Sequence, residues 1–160
     1  RYKWPEIFKY RANDMRTLET EIEMNAGAEA VWSVLMDFEK YPKWNPFVRS
    51  ISGEAKEGST ITVYIKPEGG MGMTLTPKVV AAEANRRFAW KGKLGFSGIF
   101  DGHHEFIIEG NEDGKVRFIH REGFTGLLVP IFWPMLEKNT RRGFEEMNAA
   151  LKKRAEGKKD

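Results

Sequence analysis

The chain has no cysteine among its 160 residues. Disulfide bonds, a thiol nucleophile and zinc or iron–sulfur sites built on cysteine are therefore excluded. This composition suits a reducing compartment, and we expect a cytoplasmic location. Because the chain starts at Arg1 instead of a methionine, a removed upstream targeting segment is the alternative.

Long apolar runs and an excess of one charge are also missing. The most apolar stretch, residues 126–135, is shorter than the roughly 20 residues that span a bilayer, so we expect a soluble protein. The 26 basic and 23 acidic residues leave a formal charge of +3. This mild balance does not favour nucleic-acid binding.

Sequence motifs of several enzyme classes are absent. There is no Gly-x-Ser-x-Gly elbow, no His-Glu-x-x-His and no Walker motif. The glycine cluster at residues 69–72 lacks the spacing and the following helix of a phosphate-binding loop. We therefore expect neither hydrolase nor nucleotide chemistry, and no cofactor. The chain is instead rich in Trp (5), Phe (11) and Met (7), which suit an adaptable apolar interior.

Alternation of apolar and polar residues predicts an antiparallel sheet of seven strands. In the first strand, residues 17–25, Leu18 and Ile22 share one face while Glu19 and Glu21 share the other. Similar patterns, bounded by turn residues, cover residues 47–54, 59–67, 71–83 and 86–94. The last two strands, residues 102–109 and 116–124, flank a turn that ends at Gly114.

Helical spacing of apolar residues predicts three helices. Two short ones follow the first strand, over residues 28–38 and at the corner Tyr41–Phe47, where two prolines favour a helical turn and an abrupt exit. A long helix is predicted from Pro130 to about Glu156, and Gly143 in its middle indicates a close approach to the sheet or to a ligand. The fold class is therefore α+β, with a curved seven-stranded antiparallel sheet wrapped around a long C-terminal helix.

Three titratable side chains fall on the apolar face of the last two strands. His104 shares its face with Phe106, and His120 and Glu122 share theirs with Phe118. In a hairpin with both apolar faces inward, His104 lies opposite either His120 or Glu122. These three residues are the candidate site. His103 points outward and is expected to be inert.

The three groups allow more than one kind of chemistry. They can hydrogen-bond to each other or hold the polar end of a bound apolar ligand. Alternatively, the imidazoles act as general acid and base with Glu122 orienting one of them, or Glu122 is itself the base. Two His and one carboxylate also match a facial metal triad, but the motif is loose and we predict no metal.

Several segments resemble a known superfamily. They are Val31-Trp32, the corner Asp37–Phe47, residues 100–106 and residues 143–148. Together they resemble the helix-grip superfamily of START-like, polyketide cyclase/dehydrase and birch-pollen-allergen-like proteins (SRPBCC), especially the polyketide cyclase/dehydrase and lipid-transport branch. The order of the predicted elements is similar from Thr17 to Glu156.

The resemblance implies a deep hydrophobic cavity between the sheet and the long helix. We therefore expect the chain to bind a lipid, polyketide or terpenoid-like molecule; the alternative is a cofactor-independent cyclase, dehydratase or isomerase that uses the candidate site for proton transfer. The residues predicted to contact the ligand are Trp44, Val63, Met73, Leu75, Phe88, Trp90, Phe106, Phe118, Phe132, Met135 and Met147. Residues 127–132 form an apolar junction that is either an entrance flap or a plain hinge.

The predicted organisation has three parts. Residues 1–16 form an N-terminal arm, residues 17–156 a single START-like ligand-binding domain, and residues 157–160 a charged tail. The arm is basic and aromatic, and we interpret it as lying across the domain surface, with membrane or partner contact as the alternative. The sequence does not predict an oligomeric state.

Overall fold

The computed structural model describes residues 15–158. The predicted arm, apart from Met15 and Arg16, and the end of the charged tail lie outside the described residues. The strands are β1 (Arg16–Met24), β2 (Val48–Ser52), β3 (Thr62–Ile65), β4 (Met73–Leu75), β5 (Lys78–Glu83), β6 (Arg87–Lys93), β7 (Asp101–Gly110) and β8 (Val116–Thr125). The helices are α1 (Ala28–Met36), α2 (Tyr41–Trp44) and α3 (Val129–Ala155), with a 3-10 turn at Phe38–Lys40 before α2.

These strands form two sheets, so the prediction of one seven-stranded sheet is wrong. A five-stranded sheet has the order β1-β8-β7-β6-β5, and a three-stranded sheet has the order β2-β3-β4. The segment predicted as one strand over residues 71–83 is divided before Lys78, because Pro77 has no N–H to donate to a ladder. A bridge between Thr60 and Lys78 joins the two sheets at this corner.

The other main features of the predicted architecture are confirmed. All the paired strands are antiparallel, two short helices follow β1, and α3 begins within one residue of the predicted position. The turn between β7 and β8 is closed by the side chain of Asn111, which accepts a hydrogen bond from the N–H of Lys115 at 2.8 Å. Gly114 in this turn has a φ of 72°, a value that glycine adopts at little cost.

The corner after α2 turns Phe47 towards α3. The side-chain oxygen of Asn45 accepts hydrogen bonds from the N–H groups of Phe47 and Val48 at 3.0 and 2.9 Å, which fixes the exit into β2. The Phe47 ring lies directly against Gly143 in the middle of α3: a Cβ added there would be 2.7 Å from Cε2 of the ring. Gly143 therefore makes a close approach, but its neighbour is the corner residue Phe47 and not, as predicted, a strand of the sheet or a ligand.

The core lies between the inner face of the five-stranded sheet and α3. Its largest fully buried side chains include Tyr41, Phe88, Phe106, Phe118 and Phe144. Burying an aromatic or aliphatic side chain of this size contributes about 1.5–3 kcal/mol to stability. The alternating face predicted for β1 is also buried, with Leu18 and Met24 at 0% exposure.

On the outer face of this sheet, Glu105 is buried although its neighbours are solvated. It is 4% exposed because Arg87 and Arg121 lie across it, each donating a hydrogen bond to one carboxylate oxygen. Burial acts to raise the pKa of Glu105, but the hydrogen bonds from the two guanidinium groups hold that pKa below its usual range. The two arginines therefore keep the buried carboxylate of Glu105 charged.

Strand β1 and helix α3 are joined along their length. Arg141 donates to the carbonyl oxygen of Glu19 at 3.0 Å, and Lys152 donates to that of Glu23 at 2.9 Å. At the end of the strand, the N–H of Asn25 donates to Oε1 of Glu156 at 2.7 Å. These bonds hold α3 against β1, which is an edge strand of the five-stranded sheet and the first element of the described chain.

Candidate functional site

The strand register brings the three predicted site residues together on the inner face of the five-stranded sheet. One row across the strands contains Glu122 opposite His104, and the neighbouring row contains Thr20 opposite His120. His104 therefore has Glu122 as its partner across the hairpin, which is one of the two registers that the sequence allows.

A series of side-chain contacts connects these groups to α3. Nδ1 of His104 lies 3.2 Å from Oε2 of Glu122, and Nε2 of His104 lies 2.7 Å from Nε2 of His120. Nδ1 of His120 lies 3.0 Å from Oδ1 of Asn148. Nδ2 of Asn148 donates to the Thr20 hydroxyl at 2.9 Å, and that hydroxyl donates to the carbonyl oxygen of His120 at 3.3 Å. We call the series Glu122–His104–His120–Asn148–Thr20 the polar chain.

Exposure falls steeply along the polar chain. The Glu122 side chain is 15% exposed, whereas His104 is 1% and His120 0% exposed. Burial, and after it the interaction with His104, lowers the pKa of His120 well below its ordinary value, so this ring is neutral at neutral pH. All four ring nitrogens have partners, which avoids the roughly 1–3 kcal/mol that an unpaired buried polar group costs.

Aromatic rings enclose both imidazoles. Phe144 stacks on His120 with ring centroids 3.7 Å apart and planes 12° apart, and Trp90 stacks on His104 at 4.6 Å and 8°. Each of these rings covers one face of an imidazole. The side chain of Glu122 is the most exposed part of the polar chain.

Sequence reasoning does not single out Thr20 or Asn148 as site residues. Thr20 lies on the predicted buried face of β1. Asn148 follows Phe144 by four residues and precedes Leu151 by three, a spacing that places it on the buried face of α3. A polar residue at a buried helical position needs a hydrogen-bond partner, and this requirement is the signal that identifies Asn148.

The polar groups lie in series and do not surround a common point. His104 sits between the other two groups and offers one ring nitrogen to each of them. A facial triad needs all of its ligands to converge on one ion, so this arrangement does not fit one. Among residues 15–158, no group of three or more His, Asp or Glu side chains has an arrangement that would hold a metal ion.

The two halves of α3 are buried to different extents. Gly143, Phe144, Met147, Asn148 and Leu151, in its second half, are fully buried. In the first half, after Val129, even the inward positions 133, 136 and 140 are only partly buried. The helix is therefore packed tightly against the sheet along its second half and less tightly along its first.

Two ring contacts of α3 lie on either side of Glu122 along β8. Phe144 contacts His120, and Trp133 contacts Phe124 with ring centroids 6.3 Å apart. Glu122 lies between His120 and Phe124 on the same face of β8, so its position falls between these two contacts.

Two glycines lie on the sheet beside Glu122. Gly92 and Gly102 pair across β6 and β7 on the inner face. A Cβ added at Gly102 would lie 2.7 Å from Oε1 of Glu122, so the carboxylate occupies the place of a missing side chain. We call the region bounded by the partly buried residues Gly92, Gly102 and Glu122 on the sheet and by residues 133–140 of α3 the opening.

Exposed apolar side chains lie at the N-terminal end of α3 and on the adjoining loop. This set, which we call the apolar rim, consists of Leu94 (37% exposed), Phe96 (84%), Leu127 (55%), Ile131 (70%), Phe132 (41%) and Met135 (54%). The loop and the helix start are joined because the N–H of Leu127 donates to the carbonyl oxygen of Gly98 at 3.0 Å. Although the rim is apolar, no helix within residues 15–158 is long and apolar enough to cross a bilayer.

The residues predicted to contact a ligand fall into two groups. Those buried in the core are Val63, Phe88, Trp90, Phe106, Phe118 and Met147. Those that are partly or largely exposed are Trp44, Met73, Leu75, Phe132 and Met135. The structure thus places the second group nearer to solvent than the first, and ligand contact stays a prediction for both.

A separate surface depression lies between α1 and the C-terminal end of α3. Its volume is about 410 Å³, and it is lined by Ser33, Val34, Asp37, Lys40, Arg154, Gly157 and Lys158. The depression is wide open and five of its seven lining residues are polar or charged, unlike the enclosed sites that bury most of a small ligand. It also shares no residue with the polar chain.

Antiparallel strands that curve around a long C-terminal helix define the helix-grip class of α+β proteins, and solved structures share this architecture. A START superfamily protein from Mycobacterium smegmatis is 22% identical, and the match covers 88% of this chain and 97% of that one with a TM-score of 0.69. The Zhui aromatase/cyclase from Streptomyces sp. R1128 is 20% identical over 89% of this chain and 94% of that one, with a TM-score of 0.71. At such identities the similarity shows the fold alone.

A third match is the di-domain ARO/CYC StfQ from the steffimycin biosynthetic pathway. It is 13% identical with a TM-score of 0.75, and the match covers 95% of this chain and 55% of that one. Residues 15–156 match the family described as polyketide cyclase / dehydrase and lipid transport, and the chain belongs to this family. The resemblance inferred from the sequence is confirmed. No curated protein matches the chain.

Proposed function

We propose that the chain binds an apolar small molecule in the opening, with the polar end of that molecule against Glu122. The observation that carries the proposal is the difference in packing along α3, which is tight in the half that contacts His120 and loose in the half that contacts Phe124, two residues after Glu122. Apolar groups left partly exposed, such as Leu136, gain roughly 25 cal/mol for each Å² of surface that a ligand would cover. Family membership supports the same function.

The proposed contact is at Glu122 and not at the imidazoles. Every ring nitrogen of His104 and His120 already has a partner within the polar chain, and stacked rings cover both residues. Glu122 is partly exposed, and its Oε1 occupies the place that a side chain at residue 102 would take. One polar group in an otherwise apolar site is a common arrangement for orienting a small molecule.

The apolar rim suits the entry of such a ligand. Ile131, Phe132 and Met135 remain exposed on α3 next to the opening, so an apolar molecule leaving water meets apolar surface first. The ligand class that fits is a lipid, a polyketide or a terpenoid-like molecule with a polar group at one end.

Binding can be tested with two measurements on the purified chain. Native mass spectrometry detects molecules that co-purify, and titration with the apolar fluorophore diphenylhexatriene measures an affinity. We expect Gly102→Phe to abolish binding because its ring would fill the opening. Gly110→Phe, at the exposed far end of the same strand, should retain binding. If neither variant affects binding, or the wild type binds no apolar molecule, the proposal is wrong.

A second candidate function is a cofactor-independent cyclase, dehydratase or isomerase. The observation that favours it is the contact between Glu122 and His104, because a proton taken from a ligand by the carboxylate can be shared with the imidazole behind it. In such a reaction Glu122 would be the base, and His120 and Asn148 would position His104. A β-dicarbonyl ligand, whose α-proton is acidic, is the type of substrate that this arrangement suits.

Solvent exchange distinguishes catalysis from binding alone. We expect the wild type to exchange the α-proton of a bound β-dicarbonyl compound for deuterium, as followed by NMR. Replacing His104 with Ala or His120 with Phe should abolish exchange while leaving binding largely intact. If the compound binds but its α-proton exchanges no faster than in buffer, the catalytic function is wrong and the binding function remains.

A further inference from the structure

The buried end of the polar chain determines where its protons lie. Nδ2 of Asn148 donates to Thr20, so Oδ1 of Asn148 faces His120 and can only accept a hydrogen bond. The proton of neutral His120 is therefore on Nδ1, and its Nε2 is an acceptor. That acceptor requires an N–H on Nε2 of His104, 2.7 Å away.

This assignment leaves one proton between His104 and Glu122. Nδ1 of His104 faces Oε2 of Glu122 at 3.2 Å, and two lone pairs at this distance would repel each other. Either the carboxyl group donates to the imidazole or the imidazolium donates to the carboxylate. In both cases the shared proton is on the Oε2 side, and Oε1 of Glu122 is an acceptor.

The opposite direction of hydrogen bonding gives the same result at Oε1. If the Asn148 amide turns by half a rotation, Thr20 donates to Asn148, Asn148 to His120 and His120 to His104. His104 then donates from Nδ1 to Oε2 of a Glu122 carboxylate. In both directions the bond to His104 uses Oε2, so Oε1 has no partner within the polar chain, and it is an acceptor wherever Glu122 is ionised or shares its proton with His104.

Oε1 of Glu122 is also the atom that a ligand would meet. It lies over Gly102 in the opening, and among the described residues no group donates a hydrogen bond to it. We propose that the ligand is an apolar molecule whose polar end is a hydrogen-bond donor, a hydroxyl, phenol or enol, and that it donates to Oε1. This inference rests on the proposed binding function and specifies its ligand class.

The same geometry disfavours ligands that end in a carboxylate. Such a group would bring a second acceptor, with negative charge, against the acceptor Oε1. A fatty acid or other anionic lipid would therefore bind less tightly than the corresponding alcohol. The proposed selectivity depends on the one polar atom in the opening and not on the shape of the apolar part.

Three naphthalene derivatives test this selectivity, because they share a ring system and differ at one position. 2-Naphthol has a donor, 2-methoxynaphthalene has the oxygen without the donor, and 2-naphthoate has a carboxylate. We expect the wild type to bind 2-naphthol roughly tenfold more tightly than 2-methoxynaphthalene, as a hydrogen bond to a buried acceptor implies, and 2-naphthoate most weakly. Isothermal titration calorimetry measures all three.

Variants at the acceptor link the selectivity to Glu122. Glu122→Leu should bind 2-naphthol and 2-methoxynaphthalene equally. Gly102→Ala is a second variant that keeps the carboxylate but displaces Oε1 with the added Cβ, and it should reduce the preference as well. Gly110→Ala, where a Cβ meets no atom within 4 Å, should retain the preference of the wild type.

The outcomes separate this inference from the binding function. If the three compounds bind with equal affinity, or if 2-naphthoate binds most tightly, the donor requirement is wrong and the binding function remains. If none of the three binds and diphenylhexatriene does not bind either, the binding function is wrong and the donor requirement falls with it.

Discussion

Oδ1 of Asn148 lies 3.0 Å from Nδ1 of His120, so the long helix and the sheet are hydrogen-bonded through side chains in the centre of the core. Replacing Asn148 with Leu would leave Nδ1 of His120 without a partner and would remove the donor to Thr20. We expect this variant to lose roughly 1–3 kcal/mol of unfolding free energy. Urea denaturation followed by circular dichroism measures the loss.

Asn139→Leu is the matched control for that variant. Asn139 lies on the same helix but is exposed, so the same substitution should change stability by no more than about 0.5 kcal/mol. Equal losses in the two variants would contradict a structural role for the polar chain.

Gly143→Ala should destabilise the fold although alanine is the better helix former. The substitution gains about 1 kcal/mol of helix propensity, but the added methyl group would meet the Phe47 ring and cost about 1–3 kcal/mol. Adding Phe47→Leu should recover part of the loss, because the smaller side chain makes room. A double-mutant cycle measured by urea denaturation tests the coupling, and strictly additive effects would argue against this contact.

The unfolding free energy should fall as the pH falls below about 6.5, the ordinary pKa of histidine. In the unfolded chain His120 has its usual pKa of about 6.5, whereas in the fold burial and the interaction with His104 lower it well below that value. Above pH 6.5 both states leave the ring neutral and its contribution to stability is complete. Below pH 6.5 the unfolded state takes up the proton first, and the unfolding free energy falls by up to ~1.4 kcal/mol for each pH unit.

Urea denaturation at pH 7.5, 6.5 and 5.5 measures this pH dependence. His120→Gln should flatten the decline, because the titrating group is gone. His103→Gln is the control: burial also lowers the pKa of His103, but this ring is only partly buried and its removal should have a smaller effect. A decline that persists in His120→Gln and disappears in His103→Gln would reverse the assignment.

A substitution in the apolar rim should weaken ligand binding without unfolding the chain. Met135→Ser removes an apolar side chain next to the opening that is 54% exposed, so stability should change by no more than about 0.5 kcal/mol. Diphenylhexatriene affinity should fall several-fold because less apolar surface is buried on binding. Met15→Ser is the matched control, since Met15 is 62% exposed and its sulfur lies 3.0 Å from where a Cβ at Gly123 would be, on the outer face of the sheet. A similar loss of affinity in both variants would exclude a specific role for the rim.

The placement of the candidate site follows from the sequence because side-chain direction along a strand is a local property. His104, His120 and Glu122 occupy alternate positions in their strands, so their common face is determined by parity alone. The choice between two registers is not local, since it depends on how the turn before Lys115 closes. The sequence therefore predicts which residues meet and leaves their pairing open.

The division of the sheet and the buried end of the polar chain depend on tertiary structure. Apolar alternation continues across Pro77, which conceals the bend that separates β4 from β5. Asn148 and Thr20 are 128 residues apart and meet only because α3 packs on β1. No sequence pattern within one strand or one helix predicts that contact.

The hydrogen bonds between β1 and α3 also constrain the order in which a nascent chain can fold. Asn25 and Glu156 are separated by 131 residues, so their bond cannot form until the ribosome has released almost the whole of the described chain. Until then the inner face of the sheet lacks its long covering helix, and its phenylalanines are open to aggregation and to chaperones. Docking of α3 is consequently the event that ends this vulnerable period of synthesis.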